Sequence, residues 1–130
     1  TVTALERRPP PTVITPHGGE FRRLTGSDPG YPQATVLAET TGAVVLLKGN
    51  PTIVVGEERW VVTTGGPELA TLGTGDVLTG LLAALIARGV DPETAARSAA
   101  YRHGLAGGAL ALDQTVTASG LATEIGRWAW

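Results

Sequence analysis

The sequence predicts an α/β fold in which a sheet is layered between helices. Short β-branched or apolar segments alternate with helical segments in the first half of the chain, and helices follow one another in the second half. Ala43–Leu47 is a continuous apolar run, as expected of a strand that is buried on both faces. The 130 residues are enough for one domain or a piece of one. About two-thirds of the unfolded surface could then be buried around one core.

The first half of the chain is predicted to hold most of the strands. Residues 1–11 are charged and end in three prolines, which is typical of a linker or chain end, and residues 12–130 form the predicted domain. The domain is expected to begin with a strand, one helical turn, a helix stopped by Gly42, the apolar strand and a hairpin. These elements are predicted at Thr12–Thr15, Glu20–Leu24, residues 33–41, Ala43–Leu47, Thr52–Val55 and Arg59–Thr63.

The second half is predicted to be helical after a glycine-rich loop over Thr64–Gly75. A helix beginning near Asp76 carries apolar residues in one stripe and ends at Gly89. Asp91, Pro92 and Glu93 form a strong helix start, because they supply an N-cap, a first-turn proline and an acid near the positive helix end. The helices are expected near 76–88, from Pro92 to about Leu112, and over Ala118–Trp128. The second of these is rich in alanine and glycine, which suits close helix packing.

Composition excludes several classes of function. The net charge of −2 gives no sign of a basic surface for nucleic acid. Cysteine is absent from the sequence, so disulfides, thiolate metal sites and cysteine nucleophiles are excluded. The longest weakly polar run, Val77 to Val90, is too short for a bilayer and contains Arg88, and the N-terminus lacks a signal-peptide core. We therefore expect a soluble cytoplasmic protein without membrane or nucleic-acid partners.

The glycine-rich loop before Asp76 has the composition of an anion site. A helix N-terminus has free N–H donors and partial positive charge, and Gly73 and Gly75 would let an anion approach them closely. Such donors suit a transferring phosphoryl group, and Asp76 could accept a proton from an attacking substrate hydroxyl. The alternative is purely structural: Asp76 complements the helix dipole and the glycines form a turn. The P-loop pattern GxxxxGK[ST] is absent.

Two further segments follow predicted strands, where open α/β sheets bind ligands. Lys48 is the only lysine among ten basic residues, and it begins the segment Lys48-Gly49-Asn50-Pro51-Thr52. A solvated lysine in a plain hairpin turn is the alternative. His17 and Glu20 have only a superficial likeness to a metal pair, because no second histidine lies nearby, so no metal ligand is assigned. His103 is predicted to be a packed histidine.

Several segments in order resemble the ADP- or ATP-dependent NAD(P)H-hydrate dehydratases of the ribokinase-like superfamily. They are VITPHGGEFRRL (13–24), VVLLKGNPTIVV (44–55), the stretch from GGPELATLGTGDVLTG onwards (65–96) and HGLAGGALA (103–111). The G-T-G-D motif alone indicates the superfamily, while T-P-H-x-G-E together with L-K-G-x-x-T indicates the dehydratase branch. The likeness covers roughly residues 12–125 and implies the C-terminal half of a ribokinase-like α/β/α layered domain.

The resemblance also implies a function and a set of site residues. Family members phosphorylate the hydroxyl of hydrated NADH or NADPH (NADHX or NADPHX) with ADP or ATP and Mg²⁺, and loss of phosphate restores the reduced cofactor. By matching motif, Asp76 would be the catalytic base and contact the hydrate, and His17 would lie against the hydrate. The nucleotide would be bound by Lys48, Gly49, Asn50, Pro51, Thr52 and Gly75. A homo-oligomer, a tetramer, is also implied.

This chain departs from the family pattern in its glycine-rich loop and in its length. Gly66, Glu68 and Leu72 stand where the family usually has asparagine, glycine and glycine, and an acid at 68 is unfavourable beside phosphate unless it points away or helps to hold Mg²⁺. The family domain is about twice as long, so the N-terminal half is expected to be missing. Because the two long helices can cover only one face of the sheet, we expect the isolated chain to associate and to be inactive.

Two alternative functions follow from the same residues. One is a ribokinase-like kinase of a small molecule, of the hydroxymethylpyrimidine or hydroxyethylthiazole type, which would leave a stable phosphorylated product. The other is a non-catalytic nucleotide-binding module, which would bind nucleotide without releasing phosphate.

Overall fold

The computed structural model describes residues 1–127, which form a four-stranded sheet with helices on both faces. The helices are α1 (Val2–Glu6), α2 (Gly18–Thr25), α3 (Tyr31–Thr41), α4 (Thr74–Ala87), α5 (Pro92–Ala111) and α6 (Ala118–Arg127). The strands are β1 (Val13–Ile14), β2 (Val44–Leu47), β3 (Thr52–Val55) and β4 (Arg59–Val62), and a single 3₁₀ turn covers Pro67–Leu69.

The sheet is mixed and has the order β1-β2-β3-β4. Strands β1 and β2 are parallel, with Val13 opposite Val44, whereas β2, β3 and β4 form an antiparallel meander. The predicted hairpin is therefore confirmed. Because β1 and β2 run in the same direction, their carboxyl ends meet at one edge of the sheet, and the loops that follow them lie side by side.

Both faces of β2 are covered, so the expectation that one face would lie bare is wrong. Leu46 packs with β3, β4 and α4 to α6, while Val45 and Leu47 face a second cluster that contains Phe21 and Leu37. That second cluster is supplied by α2 and α3, with Val2 of α1 at its margin. This second cluster was not predicted, because α2 and α3 are short and contribute few apolar residues. Phe21, the only phenylalanine, is fully buried there.

The N-terminal segment contains a short helix, α1. Within residues 1–11, predicted as a linker or chain end, Thr1 caps helix α1, and α1 packs on α3. None of the α1 side chains is buried, so the assignment as a chain end stays a prediction.

The remaining helices lie close to their predicted bounds. Helix α4 begins two residues before Asp76, α5 is capped by the Asp91 side chain as predicted, and the proposed end of α6 at Trp128 lies outside the described residues. Within residues 1–127, no helix is both long and apolar enough to cross a membrane.

Candidate active site

A cavity of about 830 Å³ opens where β1 and β2 end. Thr15 and His17 reach it from the loop after β1, and Lys48 reaches it from the loop after β2. The two loops are joined by an isolated parallel bridge between His17 and Lys48, in which the Lys48 N–H donates to the Pro16 carbonyl at 2.8 Å. The glycine-rich loop and the first turns of α4 form the opposite wall.

Most of the predicted site residues converge on this cavity. His17, Lys48, Gly49, Asn50, Thr52, Gly75 and Asp76 all line it. Pro51 is exposed, follows a cis peptide bond, and is not among the lining residues, so its predicted role in nucleotide binding stays a prediction.

The N-terminus of α4 presents its backbone to the cavity. The N-cap is Gly73, whose φ of 87° suits glycine, and no side chain caps the helix. The Nζ of Lys48 would be 3.2 Å from a Cβ placed on Gly75, so the ammonium lies against the first helical turn. An ammonium and the positive end of a helix repel each other, and an anion between them would bind both.

Asp76 stands in this same first turn with a solvent-exposed side chain. In the described part of the chain, its carboxylate accepts no hydrogen bond and forms no ion pair. A carboxylate with free lone pairs can accept a proton from a bound hydroxyl, which is what general-base catalysis requires.

Hydrogen bonds made by Thr74 and His103 fix the turn that precedes α4. The Thr74 hydroxyl donates to the Leu69 carbonyl at 2.6 Å and also reaches the Thr71 carbonyl at 2.7 Å. The Nε2 of His103 donates to the Thr74 carbonyl at 2.8 Å. His103 is buried, and that burial lowers its pKa below the usual value, with the Lys48 charge acting in the same direction and the Thr74 contact opposing both. The prediction of a packed histidine is confirmed.

Glycines in α5 allow the glycine-rich loop to lie directly on that helix. A Cβ on Gly104 would collide with the Thr64 backbone, and a Cβ on Gly107 would collide with the Leu69 side chain at 2.5 Å. The predicted close packing of this small-residue helix is thus made with the loop that forms the site.

His17 and Glu20 form a capping box at the start of α2. The Gly19 and Glu20 amides donate to His17 Nδ1 at 3.0 and 3.2 Å, and the His17 amide donates to Glu20 Oε2 at 2.7 Å. The hydrogen bond from the His17 amide lowers the pKa of Glu20, and the Lys48 ammonium, 3.6 Å away, adds to the effect. The spacing that resembles a metal pair is therefore explained by helix capping.

Glu68, the acid that departs from the family pattern, is bound to the backbone of the glycine-rich loop. Its Oε1 accepts the Gly66 amide at 2.7 Å, and the residue is not among those lining the cavity. Leu72, which also departs from the family pattern, lines the cavity and is 96% exposed.

Three side chains at the cavity were not predicted from the sequence: Thr15, Glu20 and Thr79. The hydroxyls of Thr15 and Thr79 share a hydrogen bond of 3.4 Å across the cavity, and Glu20 contacts Lys48. The position of Thr15 at a strand end was the available signal for that residue. The capping-box spacing from His17 was the signal for Glu20, whereas nothing local distinguishes Thr79 from other exposed helix threonines.

The described residues offer no ready cage for a metal ion. No group of three or more His, Cys, Asp or Glu side chains within residues 1–127 is placed to hold one. Mg²⁺ is usually bound by one or two carboxylates, substrate phosphates and water, and Asp76 at the cavity would fit that mode.

Comparison with known proteins gives one consistent result. The profile of the NAD(P)H-hydrate dehydratase family matches residues 2–128. The bifunctional NAD(P)H-hydrate repair enzyme Nnr of Moorella thermoacetica is 42% identical over 105 residues, which cover 75% of this chain and 20% of that protein. The chain therefore spans about a fifth of the length of that curated relative.

Solved structures agree with this result. The ADP/ATP-dependent NAD(P)H-hydrate dehydratase of Bacillus subtilis, co-crystallised with ATP and Mg²⁺, superposes with a TM-score of 0.85 at 31% identity, covering 94% of this chain and 50% of that one. A ribokinase-like superfamily protein of Enterococcus faecalis superposes with a TM-score of 0.81 at 26% identity, covering 95% and 48%. The ribokinase-like α/β fold is thereby confirmed.

Proposed function

The chain belongs to the NAD(P)H-hydrate dehydratase family, and from that premise we propose that the protein containing it dehydrates NADHX and NADPHX at the expense of ADP or ATP. The observation that carries the proposal is the convergence of Lys48, Gly75 and Asp76 on one cavity at the ends of β1 and β2. This chain matches only half of the Bacillus subtilis enzyme. The proposed activity is therefore assigned to the whole protein and not to these 130 residues alone.

Each of the three groups has a distinct role in the proposed reaction. The α4 N-terminus at Gly75 and the Lys48 ammonium bind the transferring phosphoryl group, whose charge needs fixed donors. Asp76 accepts the proton of the hydrate hydroxyl while the hydroxyl oxygen attacks the terminal phosphorus, and the bond from that phosphorus to the departing ADP (from ATP) or AMP (from ADP) breaks. The C–O bond then breaks with loss of phosphate, a proton leaves the neighbouring ring carbon, and the double bond of the reduced nicotinamide is restored.

The nucleotide and its metal follow from the same arrangement. Gly49, Asn50 and Thr52 continue the cavity wall beyond Lys48 and would line the nucleotide, and the exposed Pro51 would follow them. Mg²⁺ would neutralise phosphate charge, held mainly by phosphate oxygens with Asp76 in reach. His17, on the wall opposite α4, would contact the hydrate. A cytoplasmic homo-oligomer, a tetramer, is part of the proposal.

A non-catalytic nucleotide-binding module is the second candidate for the chain by itself. It is favoured by one observation: Lys48, Gly49, Asn50, Thr52 and Gly75 line one cavity of this chain, although the chain matches only half of the Bacillus subtilis enzyme. The superfamily kinase of the hydroxymethylpyrimidine or hydroxyethylthiazole type has no comparable support.

Product analysis separates these functions. The complete gene product is incubated with ATP or ADP, Mg²⁺ and NADPHX, and free phosphate and reduced nicotinamide are both quantified. We expect the two products in equal amounts. A stable phosphorylated product would indicate a kinase, and nucleotide binding without phosphate release would indicate the binding module.

A further inference from the structure

The two ring nitrogens of His17 have different roles: one accepts hydrogen bonds from the backbone, and the other is available to a ligand. Nδ1 accepts the Gly19 and Glu20 amides, at 3.0 and 3.2 Å, and so satisfies two of the free donors at the start of α2. The ring also lies tightly on this turn, because a Cβ on Gly19 would be 3.0 Å from His17 Cε1. Nδ1 therefore has to present its lone pair and cannot carry the proton.

A neutral imidazole has one N–H, so the proton must lie on Nε2. That atom is 3.6 Å from Glu20 Oε1, beyond hydrogen-bond distance, and the side chain is 58% exposed at the cavity. The charged group beside the ring is Glu20 of the same helix, and Glu20 also pairs with the Lys48 ammonium at 3.6 Å. The Nε2–H is thus the group that His17 offers to the cavity.

We propose that His17 acts on the hydrate as a hydrogen-bond donor through Nε2–H and takes no part in proton abstraction, because the α2 cap fixes its tautomer. This inference rests on the proposed function. Its ligand is an oxygen acceptor of the hydrated nicotinamide, and the proton of the reacting hydroxyl is left to Asp76, whose carboxylate is free. A single side chain would then both start α2 and orient the substrate.

The first test reads the tautomer directly and does not depend on activity. The complete protein is labelled with ¹⁵N at histidine, and long-range ¹H–¹⁵N correlations are recorded near neutral pH, with the His17 signals assigned by their loss in His17→Asn. We expect the neutral form of the ring to carry its proton on Nε2 and to have an unprotonated Nδ1. A ring with its proton predominantly on Nδ1 would overturn the inference.

The second test separates capping from donation by kinetics. His17→Asp and His17→Asn both keep an oxygen that can cap α2, but only asparagine also carries an N–H donor. Both variants should fold, and KM for the hydrate should rise about tenfold more in the Asp variant than in the Asn variant. The pH profile of kcat in the Asn variant should keep the limbs of the wild-type profile, because the proton acceptor is Asp76.

Two kinetic outcomes would contradict the inference. One is a loss of kcat of about 100-fold or more in His17→Asn together with loss of a pH limb, because this would make the imidazole a proton acceptor. The other is an equal KM in both variants. Failure of the wild-type protein to repair the hydrate would instead contradict the proposed function, while the tautomer measurement would still decide the state of the ring.

Discussion

Gly75 shows at the scale of one residue how the cavity is kept open for an anion. A methyl group there would lie 3.2 Å from Lys48 Nζ, so the ammonium would have to shift by a few tenths of an ångström and the methyl would occupy space beside the helix N-terminus. Gly75→Ala should weaken ATP binding about tenfold in calorimetry, without loss of stability. Gly80→Ala is the matched control, because it adds the same methyl to the same helix with nothing within 4 Å. It should leave affinity unchanged and raise stability by about 0.5–1 kcal/mol. Equal ATP affinities in the Gly75→Ala and Gly80→Ala variants would contradict a phosphate site between Lys48 and Gly75.

Lys48 is expected to bind phosphate as a compact charge. Lys48→Ala should lose at least about tenfold in nucleotide affinity, the size expected for a charge-assisted hydrogen bond. Lys48→Arg should restore it only in part, because the planar fork is bulkier than an ammonium. Arg59→Ala is the control for loss of a positive charge, since Arg59 lies on the hairpin, does not line the cavity and pairs with Glu39 of α3. Unchanged affinity in both Lys48 variants would make this lysine an ordinary turn residue.

At the scale of elements, His103 joins α5 to the start of α4, and this makes the junction sensitive to pH. Burial lowers the pKa of His103, so the unfolded chain binds the proton more tightly than the folded one. The stability that the neutral ring contributes is complete above the unfolded pKa of about 6.5 and is lost as pH falls through it. Urea unfolding should therefore show lower stability at pH 5.5 than at pH 7.5. His103→Gln should flatten that slope. A slope unaltered by His103→Gln would contradict the assignment.

The elements themselves could largely be predicted, because their signals are local. The Asp91 cap, the stop at Gly42 and the apolar run of β2 each fix an element within a residue or two. Contacts between segments that are far apart in the sequence have no comparable local pattern. Glu93 was predicted as a helix-start acid, but it also accepts the Glu57 and Glu58 amides and the Trp60 indole N–H across more than 30 residues.

The site was predicted in part, for a similar reason. Lys48, Gly75 and Asp76 follow strand ends or begin a helix, so position alone marks them. The bond between Thr15 and Thr79 depends on how the loop after β1 meets α4, which no local pattern contains. The packing of α2 and α3 on β2 was not predicted. These helices have few buried side chains, such as Phe21, and their contacts with the sheet are evident only from the folded structure.

At the scale of the whole molecule, the outer edge of β1 decides how the chain behaves alone. Strand β1 pairs with β2 only, and its other edge has no strand partner within residues 1–127. Such an edge can pair with another chain. We expect the purified 130-residue chain to be oligomeric or aggregating and inactive in size-exclusion chromatography with light scattering. Because both faces of β2 are covered, the edge and not a bare face is the expected cause. A monomer that unfolds cooperatively and repairs the hydrate would contradict this expectation.

The central claim is that the α4 carboxylate acts on a hydroxyl held against a phosphate site, and Asp76→Asn tests it most directly. The substitution keeps the helix N-terminus and the size of the side chain but removes the proton acceptor. In the complete protein, ATP affinity should stay within a few-fold of wild type, while kcat for NADPHX repair should fall by about 10²–10⁴. Turnover of the Asn variant within a few-fold of wild type would contradict the account.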